Sequence, residues 1–301
     1  LSLMHEMIGM AGMMEIPVVI VDAQRAGPST GMPTKMEQSD LFAAIHGSHG
    51  EAPRVVVAPG SVEECYSITM HAFNISEFLR VPVIILTDVA LAQRTATLPT
   101  MLFDHADIKS RRLLDQNDKN FAPYALDGVP VNPMVVPGMK ERMHVVTGLE
   151  HDEQGMPNYT PEMHAAMTQK RYAKLEHVFE LYAGYEEFQS PNQDVGIISW
   201  GSTYGPVLEA LTKMDASLLP FSFLHVKILH PLPKRAIQRF AEKVNHIVVV
   251  ENNYQGQLAS LLESVVDISI TKITKVDGLP FSGRELHERL QPYLQFEKVM
   301  A

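Results

Sequence analysis

The sequence predicts an α/β protein built from doubly wound parallel sheets, and three features predict it. Apolar, β-branched runs recur at residues 18–21, 55–57, 81–86, 195–199, 221–229 and 247–250. The runs are near-continuous rather than alternating, as in strands buried on both faces. Helical segments lie between them, and a β-α-β-α order specifies parallel sheets.

Each element has a local reason. Residues 1–14 are amphipathic and rich in methionine, a residue that more often fills core packing than marks a contact surface. The strand at 18–21 runs into Asp22-Ala23-Gln24-Arg25-Ala26-Gly27-Pro28-Ser29-Thr30-Gly31-Met32-Pro33-Thr34. Here Gly27 and Gly31 let the backbone turn or approach a ligand closely, two prolines stiffen it, and Ser29, Thr30, Thr34 and Arg25 supply hydrogen bonds. Ligands of open α/β sheets bind beyond the carboxyl ends of the strands, which is where this loop emerges. Arg25 would then meet a carboxylate or phosphate with its planar fork. The alternative is a strand-to-helix turn, with Arg25 in a structural ion pair and Thr34 capping the next helix in a box with Glu37, ahead of Leu41, Phe42 and Ile45.

His46 and His49, bracketed by Gly47 and Gly50, read as a helix end with solvated imidazoles rather than a metal site. Ser61 with Glu64, and Ser282 with Glu285, have the capping-box spacing and start helices. Residues 97–161 lose all periodicity and are rich in Asp, Asn, Pro and Gly, as in a long connecting or lid segment. Within it Gly148-Leu149-Glu150-His151-Asp152-Glu153 has side chains for acid-base work but reads as a solvated turn. A charged helix over about 161–182 carries Lys170, Arg171 and Lys174. Residues 199–205 form a strand-glycine-helix junction, with Pro206 in the first turn of its helix. It lacks the Walker lysine and the three-glycine dinucleotide fingerprint, so close helix-on-strand packing explains its glycines better than anion binding. Pro233 opens a helix to about Val244. Asp88, Glu251 and Asn252 fall at strand ends, where they are turn formers or site residues. The expected organisation is a first domain at 1–115, a connection at 116–190 and a second domain at 191–301.

Composition narrows the function. The chain of 301 residues is 46% hydrophobic and 20% charged, with a formal net charge of -10. A nucleic-acid surface needs a basic stripe, and only short pairs such as Arg111-Arg112 occur. No apolar run is long enough to cross a bilayer, so neither nucleic acid nor membrane is an expected partner. The single cysteine, Cys65, excludes a disulfide framework and an iron-sulfur cluster held by this chain alone, and fits a cytoplasmic protein. No metal ligand set is expected here. The chain opens inside a pattern without an initiator Met, as a chain cut within a domain does.

Taken together, Arg25 to Thr34 with Lys35, Glu37, Gln38 and Asp40, then Gly50-Glu51-Ala52-Pro53-Arg54, Gly148 to Gly155, Lys170-Arg171, and Glu251-Asn252-Asn253-Tyr254 with Gly256-Gln257-Leu258, resemble the α subunits of 2-oxoacid:ferredoxin oxidoreductases, in particular the 2-oxoglutarate type. The resemblance covers nearly the whole chain. It implies an enzyme that uses thiamine diphosphate to decarboxylate a 2-oxoacid, passes the acyl group to coenzyme A and sends two electrons to ferredoxin. It also implies an incomplete pyrimidine-side thiamine-diphosphate domain followed by a transketolase C-terminal-like domain. A β subunit would hold the diphosphate, Mg2+ and iron-sulfur cluster and complete the shared site. Arg25 would clamp the substrate carboxylate, Thr30 and Thr34 would hydrogen-bond substrate or intermediate, Ser29 would line the loop, and Gly27 and Gly31 would admit the cofactor.

Two departures matter. Ala26 stands where members often carry glycine. A Tyr-Pro-Ile-Thr-Pro-like motif and the cofactor-activating glutamate, which precede this region in the family, are absent, so the resemblance implies a fragment of a longer protein. Pyruvate and branched-chain members differ in the Arg25 loop, which favours 2-oxoglutarate. The alternatives are another or a broader 2-oxoacid specificity, and a noncatalytic scaffold or anion-binding subunit.

Overall fold

A computed structural model describes residues 1–98, 107–115, 121–128, 130–190, 194–214 and 221–293. In chain order its elements are α1 (His5–Met13), β1 (Val18–Gln24), α2 (Leu41–His46), β2 (Val55–Val57), α3 (Val62–Leu79), β3 (Pro82–Asp88) and α4 (Val89–Ala92). There follow α5 (Pro161–Ala173), α6 (Val178–Leu181), β4 (Tyr185–Phe188), β5 (Val195–Trp200), α7 (Tyr204–Thr212), β6 (Phe221–Val226) and β7 (Ile228–His230). The last are α8 (Lys234–Ala241), β8 (His246–Glu251), α9 (Gln257–Leu262), β9 (Ile270–Thr274) and α10 (Gly283–Leu290).

The strands form two sheets, ordered β1-β3-β2-β7 and β4-β6-β5-β8-β9. Each is parallel apart from one strand. β1, β3 and β2 run together, as do β6, β5, β8 and β9, whereas β7 and β4 are added antiparallel at one edge of each sheet. All six apolar runs are strands, but the run at 221–229 is two of them. It breaks at Lys227, where the chain leaves one sheet and pairs with β2 of the other. Lys227 sits between Glu64 and Glu186 at this crossing and holds both. β4 and β9, at the two edges of the second sheet, carry no apolar run, and most of their residues are half-exposed rather than buried on both faces.

Period-two alternation divides the cores. Val83 and Ile85 of β3, with Val55 and Val57 of β2, face α3, while Ile84, Leu86 and Val56 face a core shared with Trp200, Leu224, Val226, Ile247 and Val249 of the second sheet. Phe221, Phe223, Val248 and Val250 face α7 and α10 on the far side. The two sheets therefore share one apolar layer, and any site at their common edge is held from both.

The helix starts have the expected causes. Ser61 accepts from the Glu64 amide at 3.1 Å and Ser282 from the Glu285 amide at 3.1 Å, while Pro206 falls in the first turn of α7. Pro233 precedes α8, which stops at Ala241. The helix expected over 161–182 is instead α5, a 3-10 turn over Lys174–His177 and α6. Up to Pro161, where α5 begins, the segment from 97 contains no helix or strand among its described residues, with 99–106, 116–120 and 129 lying outside them, as do 191–193 at the expected start of the second domain. No helix among the described residues is long and apolar enough to cross a membrane.

Candidate functional site

β1 and β3 end together, Gln24 opposite Asp88, and the loop leaves from that carboxyl end. Its base is closed by backbone pairs. The Ala26 amide donates to Lys35 O at 2.9 Å, the Met32 amide to Ala26 O at 3.0 Å and the Lys35 amide to Met32 O at 3.0 Å. Ala26 and Met36 are buried and anchor the loop, while residues 27–35 are exposed. The Gly27-Pro28 bond is cis. Gly31 has φ +47, and a Cβ there would run into Ala26 O and the Gly27 backbone, so this position requires glycine. Gly27 is different: the space beside its Cα is open.

Arg25 holds its own loop. The guanidinium donates to Ser29 O at 3.0 Å and also to Thr30 O, neutralising two carbonyls that point inward. No carboxylate pairs with it among the described residues, so the structural ion pair weighed for this residue is not what the loop contains. Ser29, Thr30 and Thr34 are exposed, and their hydroxyls meet no protein partner among the described residues. The loop thus presents a guanidinium edge and three hydroxyls outward from a stiffened backbone. Thr34 does not cap a helix. α2 begins at Leu41 behind Asp40: Thr34 falls in a turn, and residues 36–40 are irregular, with the Met36 and Gln38 amides and Ser39 O hydrogen-bonded across to the second sheet's side.

Those bonds give the family motifs a physical role. Gln38 is fully buried. Its Nε2 donates to Trp200 O at 3.0 Å and its Oε1 accepts from the Asn252 amide at 3.0 Å. Glu251, also buried, accepts from the Leu258 and Ala259 amides at 2.8 and 3.0 Å, from Asn253 Nδ2 at 2.9 Å and from Trp200 Nε1 at 3.3 Å. The carboxylate sits at the first turn of α9, where a negative charge is favoured. Glu251 and Asn252 are thus neither solvated turn formers nor exposed site residues; they tie the loop to the second sheet. Asp88 caps α4 through the Leu91 amide and receives the Ser202 hydroxyl, and burial raises its carboxyl above the usual value. Burial likewise raises Asp22 and Asp40 at the root of the loop, and the charge of Asp22 adds to the rise at Asp40.

Other motifs converge on the opposite pole, at the amino ends of the first sheet's strands. Glu150 and Arg171 form a two-point fork at 3.0 and 2.8 Å, and His151 is buried between Asp152 O, Met13 O and the Tyr124 ring. The turn at 148–153 is therefore packed at His151 and half-buried at Glu150, while Gly148 and Leu149 stay exposed as a solvated turn would have them. A cleft of 610 Å³ lies there, lined by Met10, Glu51, Pro53, Leu149, His164 and Arg171 among others. Arg54 is buried, donating to Ala52 O, Ala44 O and Ser48 Oγ. His46 ends α2, as expected. Beneath the pole lies a cluster that sequence reasoning missed: Glu15 binds Lys170 Nζ at 2.7 Å and Lys174 Nζ at 2.5 Å, with Arg80 donating to Glu15 O. The signal was present. Lys170 and Lys174 stand four apart on one helical face, where like charges repel unless an anion lies between them.

Residues 1–170 match the family model described as "Pyruvate flavodoxin/ferredoxin oxidoreductase, thiamine diP-bdg", and residues 193–286 match "Pyruvate:ferredoxin oxidoreductase core domain II". Among curated relatives, the 2-oxoacid:ferredoxin oxidoreductase 2 subunit alpha of Aeropyrum pernix is 35% identical over 95% of this chain and 45% of its own length. The 2-oxoglutarate synthase subunit KorA of Methanothermobacter marburgensis is 33% identical over 95% of this chain and 74% of its own. A solved structure, the 2-oxoglutarate:ferredoxin oxidoreductase from Magnetococcus marinus with 2-oxoglutarate, coenzyme A and succinyl-CoA bound, superposes with TM-score 0.92 at 39% identity, covering 98% of this chain and 51% of that one. The chain thus spans about half the length of several relatives it matches. Two family models in order, together with relatives alike over almost its whole length, show that the chain belongs to the 2-oxoacid:ferredoxin oxidoreductase α-subunit family.

Proposed function

We propose that the chain forms part of the α subunit of a thiamine-diphosphate-dependent 2-oxoacid:ferredoxin oxidoreductase, acting on 2-oxoglutarate. The observation that carries this reading is the 25–34 loop, a turn at the carboxyl ends of β1 and β3 that presents Arg25 and three exposed hydroxyls without a partner among the described residues. A 2-oxoacid offers a carboxylate next to a carbonyl, and this set is suited to both. Arg25, already fixed by Ser29 O and Thr30 O, binds the carboxylate with its remaining donors; Thr30 and Thr34 donate to the oxo oxygen or its successor, and Ser29 lines the loop. Fixing the guanidinium in advance lowers the entropic cost of binding.

The open space at Gly27 and the turn at Gly31 fit close approach of a flat ring such as the aminopyrimidine. When bound, thiamine diphosphate supplies the electron sink for the pair left as carbon dioxide departs. The β subunit holds the diphosphate, Mg2+ and iron-sulfur cluster; coenzyme A accepts the acyl group and ferredoxin the electrons, in the cytoplasm. In this reading 1–115 is the pyrimidine-side domain, 116–190 the connection and 191–301 the transketolase C-terminal-like domain, which lends β7 to the first sheet. The test is Arg25→Ala in the assembled complex. Oxoacid-dependent ferredoxin reduction should vanish while assembly survives; normal turnover would overturn the role of Arg25.

A further inference from the structure

Residues 36–42 include the most heavily anchored part of the loop, and most of the anchors come from the other sheet. The Met36 amide donates to Gly278 O at 3.2 Å and the Gln38 amide to Asn252 O at 2.7 Å, while Gln38 O accepts from Asn253 Nδ2 at 3.0 Å. Gln257 Nε2 donates to Ser39 O at 2.9 Å, and its Oε1 accepts from the Phe42 amide at 3.1 Å. The Asp40 amide turns back to the first sheet, donating to Gln24 Oε1 at 3.1 Å. Gly201 is shaped to this arrangement. It has φ +59, and a Cβ there would lie 2.5 Å from Gln38 Nε2, displacing the amide that reaches Trp200 O.

Among the described residues the exposed arc at 27–34 makes no hydrogen bond to the second sheet, since its backbone pairs close on residues 26, 32 and 35, and it meets the turn after β9 through the flexible Met32 side chain against Gly278. The hydrogen bonds that set its position relative to that sheet come from the buried segment that follows it. We infer that Gln38 and Gln257 are positioning residues for oxoacid binding, through which the Glu251-Asn252-Asn253 turn and the first turn of α9 hold the Arg25 loop in its binding geometry. Neither side chain touches the outward face of the loop. Each acts through backbone it fixes, so its loss loosens the loop without removing a substrate contact. The inference rests on the role given to the loop under the proposed function.

The test uses the full-length protein assembled with its β subunit and carrying Gln38→Met or Gln257→Met, both near in volume and unable to make the side-chain hydrogen bonds. Gln38→Met keeps the two backbone bonds of that residue, which preserves the fold locally. Losing two hydrogen bonds of ordinary strength shifts an equilibrium by about tenfold or more. KM for 2-oxoglutarate should rise about tenfold in each variant, with kcat within about twofold and the yield of complex unchanged. Unchanged KM, with or without a fall in kcat or in assembled complex, would make the network a structural clamp and overturn the inference. A wild-type complex that neither binds nor turns over any 2-oxoacid would instead overturn the reading of the loop, and this inference with it.

Discussion

Glu15→Gln removes one buried negative charge and leaves three cations facing each other. Glu15 is fully inaccessible, Lys174 is 1% exposed and Lys170 7% exposed, so water cannot replace the lost carboxylate. Burial by itself would push the Glu15 carboxyl up, but Lys174, Lys170 and Arg80 together outweigh it and hold it down to about 2. Burial lowers Lys174 to about 7, with Glu15 opposing the fall. Removing one partner of a buried ion pair costs about 3–5 kcal/mol. With a urea slope of about 3 kcal/mol/M, that is a midpoint lower by about 1–1.7 M.

The pH dependence is specific to this cluster. Below pH 7 the folded wild type carries a charged Lys174 that Glu15 stabilises, whereas at pH 9 Lys174 is largely neutral and less depends on the carboxylate. The midpoint loss should therefore be larger at pH 6 than at pH 9. Urea unfolding of full-length protein and variant at both pH values measures it. A loss under about 0.3 M, or one that is the same at both pH values, would refute the electrostatic account.

Two further outcomes follow from other sites. Gly31→Ala puts a Cβ against Ala26 O at positive φ, so the loop must open; oxoacid KM should rise by about tenfold while Tm moves by no more than about 2 °C, because the arc is exposed and local. His225 is buried with Nε2 unpartnered, and burial lowers it to about 3 from 6.5. The unfolded chain therefore binds a proton there between pH 6.5 and 3 while the folded chain does not, and stability falls as pH drops through that window. His225→Phe should flatten the stability profile between pH 6 and 4 by about one proton; an unchanged slope would show that His225 is not the cause.

Much of the fold was legible because the buried parallel strands announce themselves as unbroken apolar runs, with Ser61 and Ser282 marking helix starts between them. The edge strands of the second sheet, β4 and β9, were not, since Tyr185-Glu186-Glu187-Phe188 and Ile270 to Thr274 pack mainly on one face and carry charge on the other. The break of 221–229 at Lys227 was legible only in part. A lysine inside a β-branched run is a strand-breaker or a buried partner, and here it is both. For the site, Arg25, Ser29, Thr30, Thr34 and the two glycines were visible as residue types at one strand end. That Gln38 crosses to Trp200 and Asn252 depends on contacts more than 160 residues apart in sequence, which no local pattern encodes. Arg25 binds its own loop only four and five residues on, but its acceptors there are backbone carbonyls, which no residue type signals. Lys170 and Lys174 read only as charges on a helix because their counter-ion, Glu15, is 155 residues away from Lys170.

The central claim is a 2-oxoacid site shared with a partner subunit. It is tested most directly by 2-oxoglutarate-dependent reduction of a viologen dye, with coenzyme A and thiamine diphosphate, by the full-length protein co-expressed with its β subunit. Reduction that requires the oxoacid and is lost when the β chain is omitted is the expected result. A complex with its cluster intact that reduces the dye with no 2-oxoacid would contradict the claim and leave the 25–34 loop as an interface of a noncatalytic scaffold.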